Sequence, residues 1–188
     1  MKRWLKVGII VLAVIVILFV SVFATIYLDL AGYFATSSER LNPSMATVGR
    51  ALVVYSPGLS GAAKADAREI ADDLQAKGYT VDLAGVRSTI AGNQSGYNII
   101  VAGGPIYFGK LSSSIDEYLK NLHADNSTNN PRLGVFGSTG SGTYSPSDFA
   151  SLKEQVISDT ANGNAKIKLI LSGNETNDCA NLVSMLVP

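Results

Sequence analysis

Apolar and polar positions along the chain follow two regimes. From Val7 to Leu28 the sequence VGIIVLAVIVILFVSVFATIYL carries no charge, and its non-apolar members are only small or hydroxyl residues. At about 1.5 Å per residue this run predicts one helix long enough to cross a hydrocarbon core of roughly 30 Å. From residue 50 onward, short apolar runs alternate with amphipathic segments. Residues 50–55 (RALVVY) form a continuous apolar run, as expected of a strand buried on both faces, and 79–83, 98–102, 132–136 and 166–171 read as four further strands. Between the first two, Ala67, Ile70, Ala71 and Leu74 form one helical stripe, with Asp66, Arg68, Glu69, Asp72 and Asp73 off it. Gly78 closes that helix. Ser114 and Glu117 match a capping box ahead of Tyr118, Leu119 and Leu122. Ser145 followed by Pro146 starts a further helix, whose stripe is Phe149, Leu152, Val156 and Ile157. Cys179, Leu182, Val183 and Leu186 fit a short last one.

Strands interleaved with helices predict an α/β domain: a five-stranded, parallel, doubly wound sheet in three layers, preceded by one transmembrane helix. The division is a basic start at 1–6, a transmembrane helix at 7–28, a linker at 29–49 and the domain at 50–188. The linker reading rests on a mix of small, polar and turn-forming residues without periodicity. One crossover is thin: residues 84–97 (AGVRSTIAGNQSGY) support at most a helical turn or two.

Charge and composition narrow the function. Fifteen Lys and Arg balance fifteen Asp and Glu, so nothing electrostatic favours nucleic acid. Lys2, Arg3 and Lys6 flank the apolar run, and Arg40 is the first positive charge beyond it. That asymmetry places the N-terminus in the cytoplasm and the domain outside. Trp4 and Tyr27 stand near the two ends, where amphipathic rings prefer the interface. A cleaved signal peptide is the alternative, but the run exceeds the apolar region of about 7–15 residues that such peptides carry. Cys179 is the only cysteine, which excludes an internal disulfide.

Candidate chemistry sits in three loops, at 56–63, 103–111 and 137–144. All leave the carboxyl ends of strands and are rich in Gly, Ser and Thr. In an open α/β sheet ligands bind beyond those ends. The first loop, YSPGLSGAAK, also approaches a nucleophile elbow through Gly58-Leu59-Ser60-Gly61-Ala62, but His123 is the only histidine and lies at a distant helix end. The Walker pattern fails after Lys64, and metal ligands at useful spacing are absent.

Residues 50–186 resemble the flavodoxin-like family. YSPGLSGAAK looks like its phosphate turn, Ser/Thr-x-Thr-Gly-x-Thr. GGPIYFGKLSSSIDEYL looks like its second loop, with the pattern G-[GS]-P-[IV]-Y-x-G, and GVFGSTGSGTY like its third. The resemblance implies non-covalent FMN. Its phosphate would lie against Ser56, Gly58, Leu59, Ser60, Gly61, Ala62 and Ala63. The flavin ring would lie among Pro105, Ile106, Tyr107, Phe108 and Gly109 of the second loop and Ser138, Thr139, Gly140, Ser141 and Tyr144 of the third, with Tyr107 and Phe108 stacking and Tyr144 covering the opposite face. The phosphate turn departs from the pattern. It aligns only with two extra residues after Ser56, so that Ala63 stands where the last hydroxyl belongs. One lost donor to a charged acceptor costs about 1.5–3 kcal/mol. The implied function is electron transfer to or from a membrane-associated partner. The alternatives are a flavin-free extracytoplasmic interaction module and an FMN-dependent quinone or substrate reductase.

Overall fold

The structure is a computed structural model and describes residues 3–30, 35–122, 131–160 and 164–187. His123 lies outside the described residues. The long apolar run is helix α1 (Arg3–Leu30), and its segment from Lys6 to Tyr27 buries nothing against the rest of the chain. The domain follows as β1 (Ser38–Leu41), β2 (Gly49–Tyr55), α2 (Ala62–Ala76), β3 (Tyr79–Gly85), β4 (Ile99–Tyr107), β5 (Lys110–Leu111), α3 (Ser113–Leu122), β6 (Arg132–Ser138), α4 (Pro146–Thr160), β7 (Lys166–Ile170) and α5 (Glu175–Leu186).

The sheet runs β1-β3-β2-β4-β6-β7, with β5 paired to β4. Five of these strands are mutually parallel, as the sequence pattern requires. Numbered among themselves their order is 2-1-3-4-5, the order of flavodoxin-like doubly wound sheets. Alternation along each strand divides the core. Ala51, Val53 and Tyr55 face α2 and α5, whereas Leu52 and Val54 face α3 and α4. The result is a three-layer domain whose strand order reverses between β2 and β4, beside the first two candidate loops.

Two strands escape the sequence pattern. Ser38–Leu41 lies inside the stretch read as linker, yet pairs antiparallel with β3. Its sequence SERL shows no apolar period because three of its residues face solvent at the sheet edge. Burial and charge hold it in place. Ala35 and Leu41 are buried, and Arg40 forks onto Asp82, with Nε–Oδ1 at 2.7 Å and Nη2–Oδ2 at 3.2 Å. Burial alone would raise the Asp82 carboxyl, but hydrogen bonds from Arg40, Tyr97 and Arg50 outweigh it and hold it below the ordinary value. The second unforeseen strand, β5, is the short return arm of a hairpin from β4.

Caps largely follow the sequence. Gly78 takes φ +91° after α2, and its N–H donates to the Gln75 carbonyl. Ser145 caps α4 reciprocally with Asp148: each backbone N–H donates to the other's side-chain oxygen at 3.2 Å. The capping box at Ser114 is displaced. Helix α3 begins earlier, the Ser112 carbonyl accepts from Ile115 and Asp116, and Ser114 is a buried residue of the first turn. The thin crossover, residues 86–98, forms turns and no helix.

Candidate functional site

Loop one leaves β2 at Ser56 and enters α2 at Ala62. It turns through two left-handed glycines, Gly58 (φ +73°) and Gly61 (φ +75°). Side chains other than glycine rarely adopt that backbone, which explains both residues. A Cβ on Gly58 would lie 3.2 Å from the Pro105 side chain, so loops one and two are in contact. Gly61 is the N-cap of α2 and supplies no capping side chain. No acidic residue occupies the first helical turn. The positive end of the helix dipole is therefore uncompensated by its own helix.

Part of the amide set is already spent. The Leu59 N–H donates to the Tyr107 hydroxyl at 3.3 Å, Ala62 N–H to Ser60 Oγ at 3.3 Å, and Gly61 N–H to the Gly58 carbonyl at 3.2 Å. The amides of Ser60 and Ala63 meet no acceptor among the described residues. Ala63 is buried and carries no hydroxyl, while Ser60 and Lys64 are exposed beside it. Ser56 is fully buried on the α3 side, packed near Gly104 and Ser112. Its Oγ has no hydrogen-bond partner among the described residues.

Loop two is the β4–β5 hairpin. Tyr107 pairs with Lys110, leaving Phe108 and Gly109 as its two-residue turn, at φ +53° and +77°. Positive φ at both positions marks a type I′ turn, whose usual first residue is Asn, Asp or Gly. Phe108 is instead a left-handed aromatic, fully exposed at 102% of its reference area. Of the described residues it alone combines positive φ with a side chain. Ile106 does not face the rim. It packs onto Gly137, where a Cβ would clash at 2.4 Å. Tyr107 is half-buried, with its hydroxyl turned to loop one.

Loop three splits its residues. Ser138 is buried and donates its hydroxyl to Asp66 of α2, so it ties two elements beneath the rim and does not line it. Burial pushes the Asp66 carboxyl above its ordinary range, against the pull of the Ser138 hydroxyl. Thr139 and Ser141 are held in a turn. Thr139 Oγ1 donates to the Ser141 carbonyl at 2.7 Å, and that carbonyl also accepts from Ser172 N–H. Gly140 is open: a Cβ placed there would meet nothing within 4 Å. Tyr144 is half-exposed and tilts against Phe149 at 6.1 Å between ring centroids.

No family model matches this chain, and no curated protein is similar to it in sequence. Solved structures are. The flavodoxin of Streptococcus pneumonia TIGR4 is 19% identical over 72% of this chain and 96% of its own, with a TM-score of 0.55. Oxidised Flavodoxin 2 from Bacillus cereus gives 17% identity, 73% and 97% coverage and a TM-score of 0.54. A short-chain flavodoxin associated with a non-canonical PDU bacterial microcompartment gives 14%, 76%, 97% and 0.55. The domain has the flavodoxin-like fold.

Against that fold the weak crossover stands out. Where a helix would cover the sheet, residues 86–94 leave a cleft of about 480 Å³ against α3, lined by Arg87, Ser88, Gln94, Glu117, Tyr118 and Asn121 among others. Arg87 and Glu117 pair across it at 2.8 Å, and the buried Tyr118 hydroxyl beside it has no partner among the described residues. The sequence signalled this only through its lack of helical period between residues 84 and 97. Asp66, the acid beneath the rim, gave no sequence signal distinct from a solvated helix face.

Proposed function

We propose that this flavodoxin-like domain binds FMN non-covalently at the three-loop rim and carries electrons to or from a membrane-associated partner, with α1 as its anchor. The observation that carries the reading is the uncapped start of α2, framed by two left-handed glycines beside the point where strand order reverses. Such a terminus attracts a phosphate through backbone N–H groups and the helix dipole. Ser60 to Ala63 would hold the phosphate, with the Ser60 hydroxyl and Lys64 beside them. Phe108 and the Thr139–Tyr144 turn would flank the ring. The flavodoxins with which the chain shares its fold support this assignment. When bound, FMN supplies one- and two-electron redox chemistry. The protein's own part is to hold the phosphate, to clasp loop one to loop two through Tyr107, and to brace the rim through Ser138 and Asp66. Lys2, Arg3 and Lys6, ahead of the apolar run, favour a domain outside the cytoplasm.

A second reading draws on particular contacts. The Leu59 amide is spent on Tyr107 and Ala63 supplies no hydroxyl, which favours a flavin-free interaction module on the same fold. Titrating FMN into the detergent-solubilised full chain separates the two. Quenched flavin fluorescence with a dissociation constant on the order of micromolar, about 8 kcal/mol of binding, supports the carrier. Fluorescence that stays unchanged well above that concentration leaves the interaction module.

A further inference from the structure

We infer that the three-loop rim faces the bilayer, and that its exposed apolar tips, Phe108 and Leu59, rest in the lipid–water interface of the membrane that holds α1. The inference rests on α1 being the anchor proposed above, and on nothing about FMN.

What decides it is where the chain joins the sheet. Strand β1 runs antiparallel to β3, with Ser38 opposite Ala84, so it starts at the carboxyl end of the parallel strands and not at the amino end. The residues just before it sit at the same level. The Ser37 carbonyl accepts from Gly85 N–H and the Ala35 carbonyl from Arg87 N–H, both at 2.8 Å, and Ser37 Oγ lies 3.0 Å from the Tyr55 hydroxyl. In register, Gly85 stands beside Tyr55, Tyr55 beside Gly103, and Gly103 beside Phe136. That row is the base of the rim carrying all three candidate loops. From Leu30 at the end of α1 to the buried Ala35 is five residues, at most about 18 Å of extended chain. With strands about 4.8 Å apart, the end of β4 lies only about 14 Å sideways from β1. A tether this short, attached to this end, keeps the rim close to the surface from which α1 emerges.

The chemistry of the rim suits that surface. Phe108 is fully exposed at the tip of a hairpin, beside the exposed Lys110, and Leu59 is 52% exposed on the neighbouring loop. An aromatic ring with a lysine at its side is a pairing the interface accepts. Exposure alone does not decide the matter, because Met45 (70%) and Val48 (67%) are exposed in the connection between β1 and β2, at the opposite end of the sheet. The tether chooses between the two ends.

Trp4 is the sole tryptophan, so a Trp4→Phe background makes a single new one readable. Phe108→Trp, Leu59→Trp and Met45→Trp would each be placed in the full chain and reconstituted, without flavin, in vesicles containing lipids nitroxide-labelled near the headgroup. We expect blue-shifted emission and strong quenching for Phe108→Trp and Leu59→Trp, and solvent-like, unquenched emission for Met45→Trp. Equal quenching at both ends, or quenching at Met45→Trp alone, overturns the inference. Leu59→Trp carries the test if Phe108→Trp fails to fold. Flotation on a density gradient separates the failures: protein that does not float with vesicles overturns the anchor and this inference together. Protein that floats with Phe108→Trp and Leu59→Trp unquenched overturns the inference alone.

Discussion

Phe108 occupies a backbone conformation that suits almost any small polar residue better than a phenylalanine. A left-handed residue with a Cβ costs roughly 1–2 kcal/mol, and a fully exposed ring recovers none of that within the domain. Strain of this kind persists where it serves a site. Phe108→Asn would give Asn-Gly, the preferred pair for this turn. We expect it to stabilise the domain by about 1 kcal/mol, read as a higher urea midpoint, and to weaken FMN binding if the ring stacks there. Ser60 is exposed at the start of α2, whereas Ala63 is buried in the core beneath it, where a serine hydroxyl would meet apolar neighbours. Ser60→Ala removes the exposed hydroxyl, worth about 1.5 kcal/mol to a charged acceptor, or roughly tenfold in FMN affinity. Unchanged affinity in a fluorescence titration would place the phosphate elsewhere. The residue types in loops one and two were legible because glycines at αL positions and a hairpin aromatic leave sequence traces. Which hydroxyls are spent internally, as Ser138 is on Asp66, depends on contacts between distant elements and left none.

Between elements, the α3–α4 seam holds a carboxyl pair. Asp116 accepts from Lys120 Nζ at 2.5 Å and from Gln155 Nε2 at 2.9 Å, and Gln155 Oε1 accepts from Leu111 N–H of the hairpin at 3.1 Å. Asp159 faces the same group, with Lys120 Nζ at 3.7 Å and one carboxylate oxygen unpartnered among the described residues. Burial, with the neighbouring Asp116 carboxylate, pushes Asp159 up to about 6. Burial alone would raise Asp116 too, but hydrogen bonds from Asp159, Lys120 and Gln155 outweigh it and hold that carboxyl below its ordinary value. A carboxyl raised on folding adds stability that is full below its unfolded value and lost as pH rises through the folded one. For Asp159 the loss runs from the ordinary carboxylate range up to about pH 6. Asp116 has the opposite sign, and its contribution fails only in stronger acid. We therefore expect the urea midpoint to be higher at pH 5 than at pH 7.5, and that difference to shrink in Asp159→Asn. A wild-type midpoint that is flat across this range would show that the pair does not share a proton. The seam leaves no trace in the sequence, because Asp116 and Asp159 stand on two separate helices and meet only in the fold. The parallel strands were legible for the converse reason: burial on both faces writes a continuous apolar run that needs no partner to be recognised.

At the scale of the whole molecule, the decisive boundary is the one between helix α1 and the domain. The sequence pattern puts it at residue 50, because SERL and its flanks show no period. The structure brings residues 35–41 into the domain through an edge strand, two buried side chains and an arginine fork onto Asp82. Helix α1 contributes nothing comparable, since none of its apolar segment from Lys6 to Tyr27 is buried. These facts separate two truncations. A chain of residues 35–188 keeps every contact of the edge strand and should unfold in urea at the same midpoint as the full chain in detergent. A chain of residues 48–188 loses buried Leu41 and Ala35, leaves an acceptor site on Asp82 without Arg40, and exposes the edge of β3. Burial of one leucine is worth about 1.5–3 kcal/mol, so the shorter chain should be less stable by about 3 kcal/mol once the alanine is added. Exposing β3 also leaves a row of free backbone groups open to another chain, and we expect self-association in the shorter chain alone, seen by light scattering. Equal midpoints for the two truncations would return β1 to the linker. With it would go the short tether on which the proposed placement of the three-loop rim at the membrane rests.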